Sequence, residues 1–134
     1  MIACWMRDFD TNYYPYNMKK AKWLFVGDKS KLWLLKSKSN VHNALVLVED
    51  VVSALKIQRL SDVVCLGGTS LPIEVVLNLF HYSQIILFLD GDMAGLKAAQ
   101  KIRNQLKLFV PVRIIYAKKD PKDHTYEELE ALLK

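Results

Sequence analysis

The stretch Ile85-Ile-Leu-Phe-Leu-Asp-Gly-Asp92 is an apolar run that ends directly in two carboxylates. A second run, Ala44-Leu-Val-Leu-Val-Glu49, has the same form and ends in a glutamate. Continuous apolar runs of about five residues, each followed by a helical pattern, are typical of strands buried in a parallel sheet. Because the carboxyl ends of parallel strands lie at one edge of the sheet, we expect Glu49, Asp90 and Asp92 to converge there.

This convergence predicts a divalent-metal site. Carboxylates brought close together repel one another and raise each other's pKa unless a cation lies between them. Hard oxygen ligands of this kind suit Mg²⁺ or Mn²⁺. Acids at strand ends also serve as helix caps, and the spacing alone leaves both interpretations open.

The rest of the chain repeats a strand–helix unit. After a short linker at residues 37–40, strands are predicted at roughly 44–48, 63–66, 85–89 and 112–116, and helices at roughly 50–59, 72–82, 93–107 and 125–133. This alternation predicts an α/β fold with a four-stranded parallel sheet flanked by helices. Ahead of it, residues 22–26, 27–30 and 31–35 indicate strand, turn and strand, which is a small β-hairpin.

Composition limits the class of protein. A chain of 134 residues with 51% hydrophobic residues can bury one compact core. No apolar run approaches the roughly 20 residues of a membrane span, and residues 1–7 lack the features of a signal peptide. We expect a soluble, cytoplasmic protein with no membrane partner. Cys4 and Cys65 form neither a zinc-ligand spacing nor a disulfide framework, so both are expected to be reduced.

The net charge is concentrated near the start of the chain. Residues 1–40 carry eight basic and three acidic side chains, whereas residues 41–134 carry eleven of each. Basic residues interleaved with aromatic ones suit single-stranded nucleic acid, with lysines for phosphates and rings for bases. The alternative is a hairpin whose rings fill a core and whose lysines are only solvated. The candidate contacts are Arg7, Lys19, Lys20, Lys22, Lys29 and Lys31. We therefore divide the chain into a basic aromatic segment, 1–40, and an α/β domain, 41–134.

A glycine-rich turn follows the second strand of the predicted sheet. Its glycines permit close backbone approach and Pro72 suits a first helical turn, so the turn could bind a phosphate or be only a tight connection. Lys97, on the helix after Asp92, is a further candidate phosphate contact or a solvated surface residue. The candidate phosphate ligands in the turn are Gly67, Gly68, Thr69 and Ser70.

Asp120-Pro-Lys-Asp123 follows the last predicted strand. Its two acids would lie at the same edge of the sheet as Glu49 and Asp90. Alone, this sequence is also a common turn and helix cap.

Taken in order, four motifs resemble the Toprim domain shared by topoisomerases and primases, most of all that of bacterial and phage DNA primases. They cover roughly residues 41–125, and residues 5–16 loosely resemble the stretch that precedes this domain in phage primases. The resemblance implies a Toprim-like Rossmannoid fold. The motifs are Leu47-Val-Glu49, Leu66-Gly-Gly-Thr-Ser70, Leu89-Asp-Gly-Asp-Met-Ala-Gly95 and Lys119-Asp-Pro-Lys-Asp123.

The resemblance also implies roles by position. Glu49 matches the glutamate that acts as general base or assists the metals, and Asp90 and Asp92 match the metal-binding pair, which makes these three the candidate catalytic residues. Asp120 matches a further acidic motif, and Asp123 replaces an acid that bacterial primases place at Lys122. The implied metal ligands are Glu49, Asp90, Asp92, Asp120 and Asp123. The chain departs from the family at Asp50, usually glycine, and at Leu96, often basic.

The implied activity is metal-dependent nucleotidyl transfer, which uses two cations about 3.5–4 Å apart. The leading hypothesis is a minimal primase core that makes RNA primers on single-stranded DNA in phage replication. It would use nucleoside triphosphates and Mg²⁺ or Mn²⁺. The sequence shows no P-loop and no zinc-binding cluster, so a replicative helicase or a separate template-recognition subunit is an expected partner. The alternatives are a Toprim nuclease, topoisomerase-like strand cleavage, or a non-catalytic nucleic-acid-binding subunit.

Overall fold

The structure, a computed structural model, describes residues 4–7, 23–26, 34–40, 42–71, 76 and 79–134. For residues 4–7 and 23–26 it describes the backbone pairing only. Most of the helix predicted at 72–82 lies outside the described residues. Five of the six predicted nucleic-acid contacts also lie outside them: Lys19, Lys20, Lys22, Lys29 and Lys31.

Seven strands and three helices are described. The strands are β1 (Cys4–Arg7), β2 (Trp23–Val26), β3 (Leu34–Leu35), β4 (Ala44–Val48), β5 (Asp62–Cys65), β6 (Gln84–Leu87) and β7 (Val112–Ile114). The helices are α1 (Val51–Ile57), α2 (Met93–Leu106) and α3 (Tyr126–Leu133), and a 3₁₀ turn covers Pro121–Asp123. No helix in this described part is long and apolar enough to cross a membrane.

The main sheet has five strands in the order β3-β5-β4-β6-β7. Strands β4 to β7 are parallel, which confirms the predicted α/β fold. The fifth strand, β3, is antiparallel to β5 and pairs Leu34 with Val64. The predicted strand count of four is therefore one too low, because the end of the basic segment joins the edge of the sheet.

The predicted hairpin partners differ from the described ones. The strand predicted at 22–26 is present, but it pairs antiparallel with β1, with Cys4 opposite Val26 and Arg7 opposite Trp23. The strand predicted at 31–35 contributes Leu34–Leu35 to the main sheet instead. Periodicity identifies a strand from its own residues, whereas its partner depends on distant ones. The division of the chain at residue 40 stays a prediction.

The core has two layers, one on each face of the sheet. One face packs against α2 through Ala98, Ala99, Ile102 and Leu106. The other packs against α1 and α3 through Ala54, Ile57, Leu129 and Leu133. All five residues of β4 are buried, so this strand lies at the centre of the sheet. Its carboxyl end, which carries Glu49, is therefore held by packing on both faces.

Candidate metal centre at the carboxyl edge of the sheet

The two acid-bearing strand ends lie side by side. Strands β4 and β6 are neighbours, and their pairing continues to Phe88, whose N–H donates to the Leu47 carbonyl at 3.0 Å. The Asp90 N–H then donates to Glu49 Oε1 at 3.3 Å. The structure thus places Glu49 directly against the loop that contains Asp90 and Asp92.

Two glycines allow this loop to be tightly enclosed. A Cβ atom on Gly95 would lie 2.2 Å from the Asp90 carbonyl oxygen and 3.0 Å from Glu49 Oε1. A Cβ atom on Gly91 would lie 2.6 Å from the carbonyl oxygens of Ala117 and Lys118. Both distances to backbone oxygen are shorter than any ordinary carbon–oxygen contact. The close approach of α2 to Glu49 therefore depends on glycine at position 95.

Burial and neighbouring carboxylates dominate the electrostatics of Glu49 and Asp90. Burial, followed by repulsion from Asp90, raises the pKa of Glu49 to about 7. Burial and then the charge of Asp120 also raise the pKa of Asp90. Asp90 Oδ1 is buried and has no hydrogen-bond partner among the described residues. A buried carboxylate oxygen without a partner is costly, so this position favours a bound cation or a proton.

Asp92 acts as a helix cap. It is the N-cap residue of α2, and its Oδ1 accepts from the Gly95 N–H at 2.8 Å. The spacing left open whether these acids cap a helix or bind a metal, and one oxygen of Asp92 does cap a helix. Its side chain also adds to the repulsion that raises the pKa of Glu49.

Asp50 is a site residue whose contacts the sequence did not predict. It caps α1 by accepting from the N–H groups of Val52 and Ser53 at 2.9 and 3.0 Å. Its Oδ2 accepts from the Ser53 hydroxyl at 2.9 Å and from Lys122 Nζ at 3.2 Å. An aspartate immediately before a helical pattern signals a cap, but nothing local signals the lysine.

Asp120 and Lys122, in the segment that follows β7, also contact residues of this edge. Asp120 Oδ1 accepts from the Gly91 N–H at 3.1 Å, and Oδ2 accepts from Lys122 Nζ at 3.0 Å. Burial lowers the pKa of Lys122, but its hydrogen bonds with Asp120 and Asp50 outweigh burial and hold that pKa above its ordinary value. Asp123 is exposed, and it meets Asp120 through its own backbone N–H, which donates to the Asp120 carbonyl at 2.9 Å.

The remaining predicted residues surround this edge. Gly67 has a φ of +65°, a left-handed conformation that favours glycine, and the exposed Thr69 and Ser70 follow it at the end of β5. Lys97 is exposed near the start of α2. For Arg7, the structure describes only the backbone pairing with Trp23.

A cavity beside the acids was not predicted from the sequence. It has a volume of about 410 Å³ and lies between the Asp90–Asp92 loop, the start of α2 and the residues around β7. Its walls are mostly apolar and include Leu96, Ile114 and Tyr116, with Asp90 and Asp92 also in the lining. A ligand at the acidic edge would therefore have apolar surface next to it.

The carboxylates fit a hard divalent cation by donor type. Among the described residues, however, no group of three or more Asp, Glu, His or Cys side chains is arranged to hold a metal ion. The unpartnered Asp90 Oδ1 and the raised pKa values of Glu49 and Asp90 are the features that a cation would relieve.

The family of the chain follows from its sequence. The family described as Toprim-like matches residues 47–125, which is more than half of the chain. The chain therefore belongs to the Toprim-like family, and the resemblance predicted from the four motifs is confirmed. No curated protein matches the chain by sequence.

A solved structure has the same fold. The chain is similar to the crystal structure of the Aquifex aeolicus primase, zinc-binding and RNA polymerase domains, with a TM-score of 0.74 and 22% sequence identity. The match covers 96% of this chain and 35% of the primase chain. The likeness supports a primase-type Toprim fold, and this chain spans about a third of the length of its neighbour.

Proposed function

We propose that this chain is a minimal primase-type core that catalyses metal-dependent nucleotidyl transfer, making RNA primers on single-stranded DNA in phage replication. The observation that carries the proposal is the close pair of Glu49 and Asp90, with Asp90 Oδ1 buried and without a partner among the described residues, at the carboxyl edge of a Toprim-like domain. Carboxyl groups with strongly perturbed pKa values cluster at functional sites. Nucleotidyl transfer also needs several carboxylates from separate strands, as this edge supplies.

Mg²⁺ or Mn²⁺ would be held by the carboxylates of Asp90, Glu49 and Asp92. When bound, the metal supplies Lewis-acid activation of the attacking hydroxyl and shields the charge of the leaving pyrophosphate. Glu49 would also be the candidate base for the proton of the primer hydroxyl. A bound cation would relieve the burial and repulsion that raise the pKa of Glu49 to about 7 in the metal-free chain. The Asp90 N–H holds Glu49 Oε1 and so orients this carboxyl group.

The substrates would contact the surroundings of the acids. We assign the incoming nucleoside triphosphate to the turn at residues 67–70 and to Lys97, since exposed hydroxyls and an ammonium group suit phosphate. We assign the template strand to the basic segment at residues 1–40, which carries the net positive charge of the chain. A replicative helicase or a separate template-recognition subunit would complete the machinery.

The test is incorporation of labelled ribonucleotides on single-stranded DNA with Mg²⁺ or Mn²⁺. The wild type should form short primers, and Glu49→Gln should reduce the rate roughly 100-fold or more while leaving DNA binding unchanged. Glu130→Gln is the matched control, because Glu130 is an exposed acid on α3. The control should retain the wild-type rate.

Two outcomes would contradict the proposal. Metal-dependent cleavage of DNA without incorporation, even with replication partners present, would favour the nuclease or topoisomerase-like alternative. DNA binding with neither activity would favour the non-catalytic subunit.

A further inference from the structure

The acids at the sheet edge fall into two groups. Asp50 and Asp120 each direct one carboxylate oxygen at the ammonium group of Lys122, at 3.2 and 3.0 Å. Glu49 Oε1 accepts the Asp90 backbone N–H instead, and Asp90 Oδ1 has no hydrogen-bond partner among the described residues. Among the described residues, the first group therefore pairs directly with a cation, and no ion pair of this kind is described for the second.

Each carboxylate oxygen of the first group already accepts at least one hydrogen bond. Asp50 accepts two backbone N–H groups on Oδ1, and the Ser53 hydroxyl and Lys122 on Oδ2. Asp120 accepts the Gly91 N–H on Oδ1 and Lys122 on Oδ2. A divalent ion at this place would compete with the ammonium group for these oxygens.

Lys122 is held in place at its backbone as well as its side chain. Lys56, on α1, donates from Nζ to the Lys122 carbonyl at 2.9 Å and also to the His124 carbonyl. The preceding Pro121 is buried, and the Lys122 side chain is 27% exposed. The 3₁₀ turn is thus bound to both ends of α1, through Asp50 at its N-cap and through Lys56 in its last turn. Lys122 is a positioned cation rather than a solvated surface lysine.

We propose that the Lys122 ammonium group is a built-in cation that takes the place of a second metal ion, so that the site binds a single divalent ion between Glu49 and Asp90. The proposal rests on the metal site of the proposed function. Two-metal sites place a second divalent charge about 3.5–4 Å from the first. A fixed ammonium group between Asp50 and Asp120 engages carboxylate oxygens that a second ion would need, and its charge repels a further cation.

The number of bound ions tests this. Mn²⁺ is titrated into the chelator-treated full chain, and the stoichiometry is read by isothermal titration calorimetry and by the electron paramagnetic resonance signal of free Mn²⁺. The wild type should bind one ion per chain. Lys122→Met, which has an unbranched side chain one atom shorter and removes the charge, should bind two.

Three further variants sharpen the test. Lys122→Arg keeps a cation and should bind one ion. Lys119→Met removes an exposed lysine that pairs with Glu128, outside the acidic group, and should also bind one. Asp120→Asn in the Lys122→Met background should return the count from two to one. Circular dichroism and thermal melting verify that each variant is folded, and Lys122→Gln replaces Lys122→Met if the latter does not fold.

The outcomes separate this inference from the proposed function. Two ions in the wild type would overturn the inference without the need for any variant, and so would a single ion in a folded, uncharged Lys122 variant. Both results would leave the metal site of the proposed function intact. No bound ion in any variant would overturn the metal site itself and this inference with it.

Discussion

Replacement of Glu49 by glutamine should change how the stability of the metal-free protein depends on pH. An amide is nearly isosteric with a carboxyl group and can still accept the Asp90 N–H on its oxygen. Burial and the Asp90 carboxylate raise the pKa of Glu49 to about 7, from an ordinary value of 4.5. The folded protein therefore binds more protons than the unfolded chain between these two values, so Glu49 lowers stability as the pH rises through this range.

The size of the effect follows from the two pKa values. The interval from 4.5 to about 7 corresponds to at most about 3.4 kcal/mol, at 1.36 kcal/mol for each pH unit. Glu49 is partly exposed, so solvent screening reduces the expected effect to about 1–2 kcal/mol. In a chain of this length, about 1 kcal/mol shifts the melting temperature by about 3–5 °C. Glu49→Gln should therefore melt roughly 3–10 °C above the wild type at pH 8.5, and at nearly the same temperature at pH 4.

The assay is thermal unfolding followed by circular dichroism from pH 4 to pH 9, with a chelator present. Glu130→Gln, which removes an exposed acid, should melt in parallel with the wild type throughout. Added Mg²⁺ should stabilise the wild type more than Glu49→Gln, because only the wild type presents the full carboxylate pair. Parallel curves for wild type and Glu49→Gln would show that Glu49 ionises as it does in water, and the argument from burial and repulsion would be wrong.

Three further outcomes are expected. Gly95→Ala should lower the free energy of unfolding, measured by chemical denaturation, by about 2–3 kcal/mol, because the added Cβ would lie 2.2 Å from the Asp90 carbonyl oxygen. An unchanged denaturation midpoint would show that α2 can move away at no cost. Asp62→Asn should lower the free energy of unfolding by about 2–3 kcal/mol above pH 5, since this buried carboxylate accepts three hydrogen bonds. Burial raises the pKa of Asp62, but these hydrogen bonds outweigh burial and hold that pKa below its ordinary value, so the cost should diminish as the pH falls through the folded-state pKa. Lys19→Glu combined with Lys22→Glu should weaken single-stranded DNA binding and flatten its salt dependence, measured by fluorescence anisotropy; unchanged binding would reassign these lysines to solvation.

The central sheet could be predicted because its signals are local. Strand β4 was predicted at 44–48 and occupies Ala44–Val48, and helix α2 was predicted at roughly 93–107 and occupies Met93–Leu106. A continuous apolar run bounded by an acid identifies a buried strand from its own residues. The parallel arrangement follows from the alternation of strands with helices, and it brings Glu49 and Asp90 to one edge.

The pairing of the edge strands could not be predicted in the same way. Residues 22–26 form a strand as expected, but its partner is Cys4–Arg7, and Leu34–Leu35 pairs with β5 instead. Asp62, on β5, helps to hold Leu34–Leu35 against that strand, because it accepts hydrogen bonds from Lys36 and from the Ser37 backbone, which directly follow β3. These contacts join residues far apart in the chain, so no local pattern contains them.

The sequence by itself determined the α/β fold, the Toprim-like family and the acids at the sheet edge, since each depends on runs and motifs that are contiguous in the chain. Only the tertiary structure decided how the charges at that edge are balanced. Lys122 stands two residues from Asp120, but its other partner, Asp50, lies 72 residues away. Its role depends on the placement of the 3₁₀ turn against α1 by Lys56. Electrostatic compensation depends on distances of 3 to 4 Å in the folded chain, and sequence spacing does not specify such distances between separate elements.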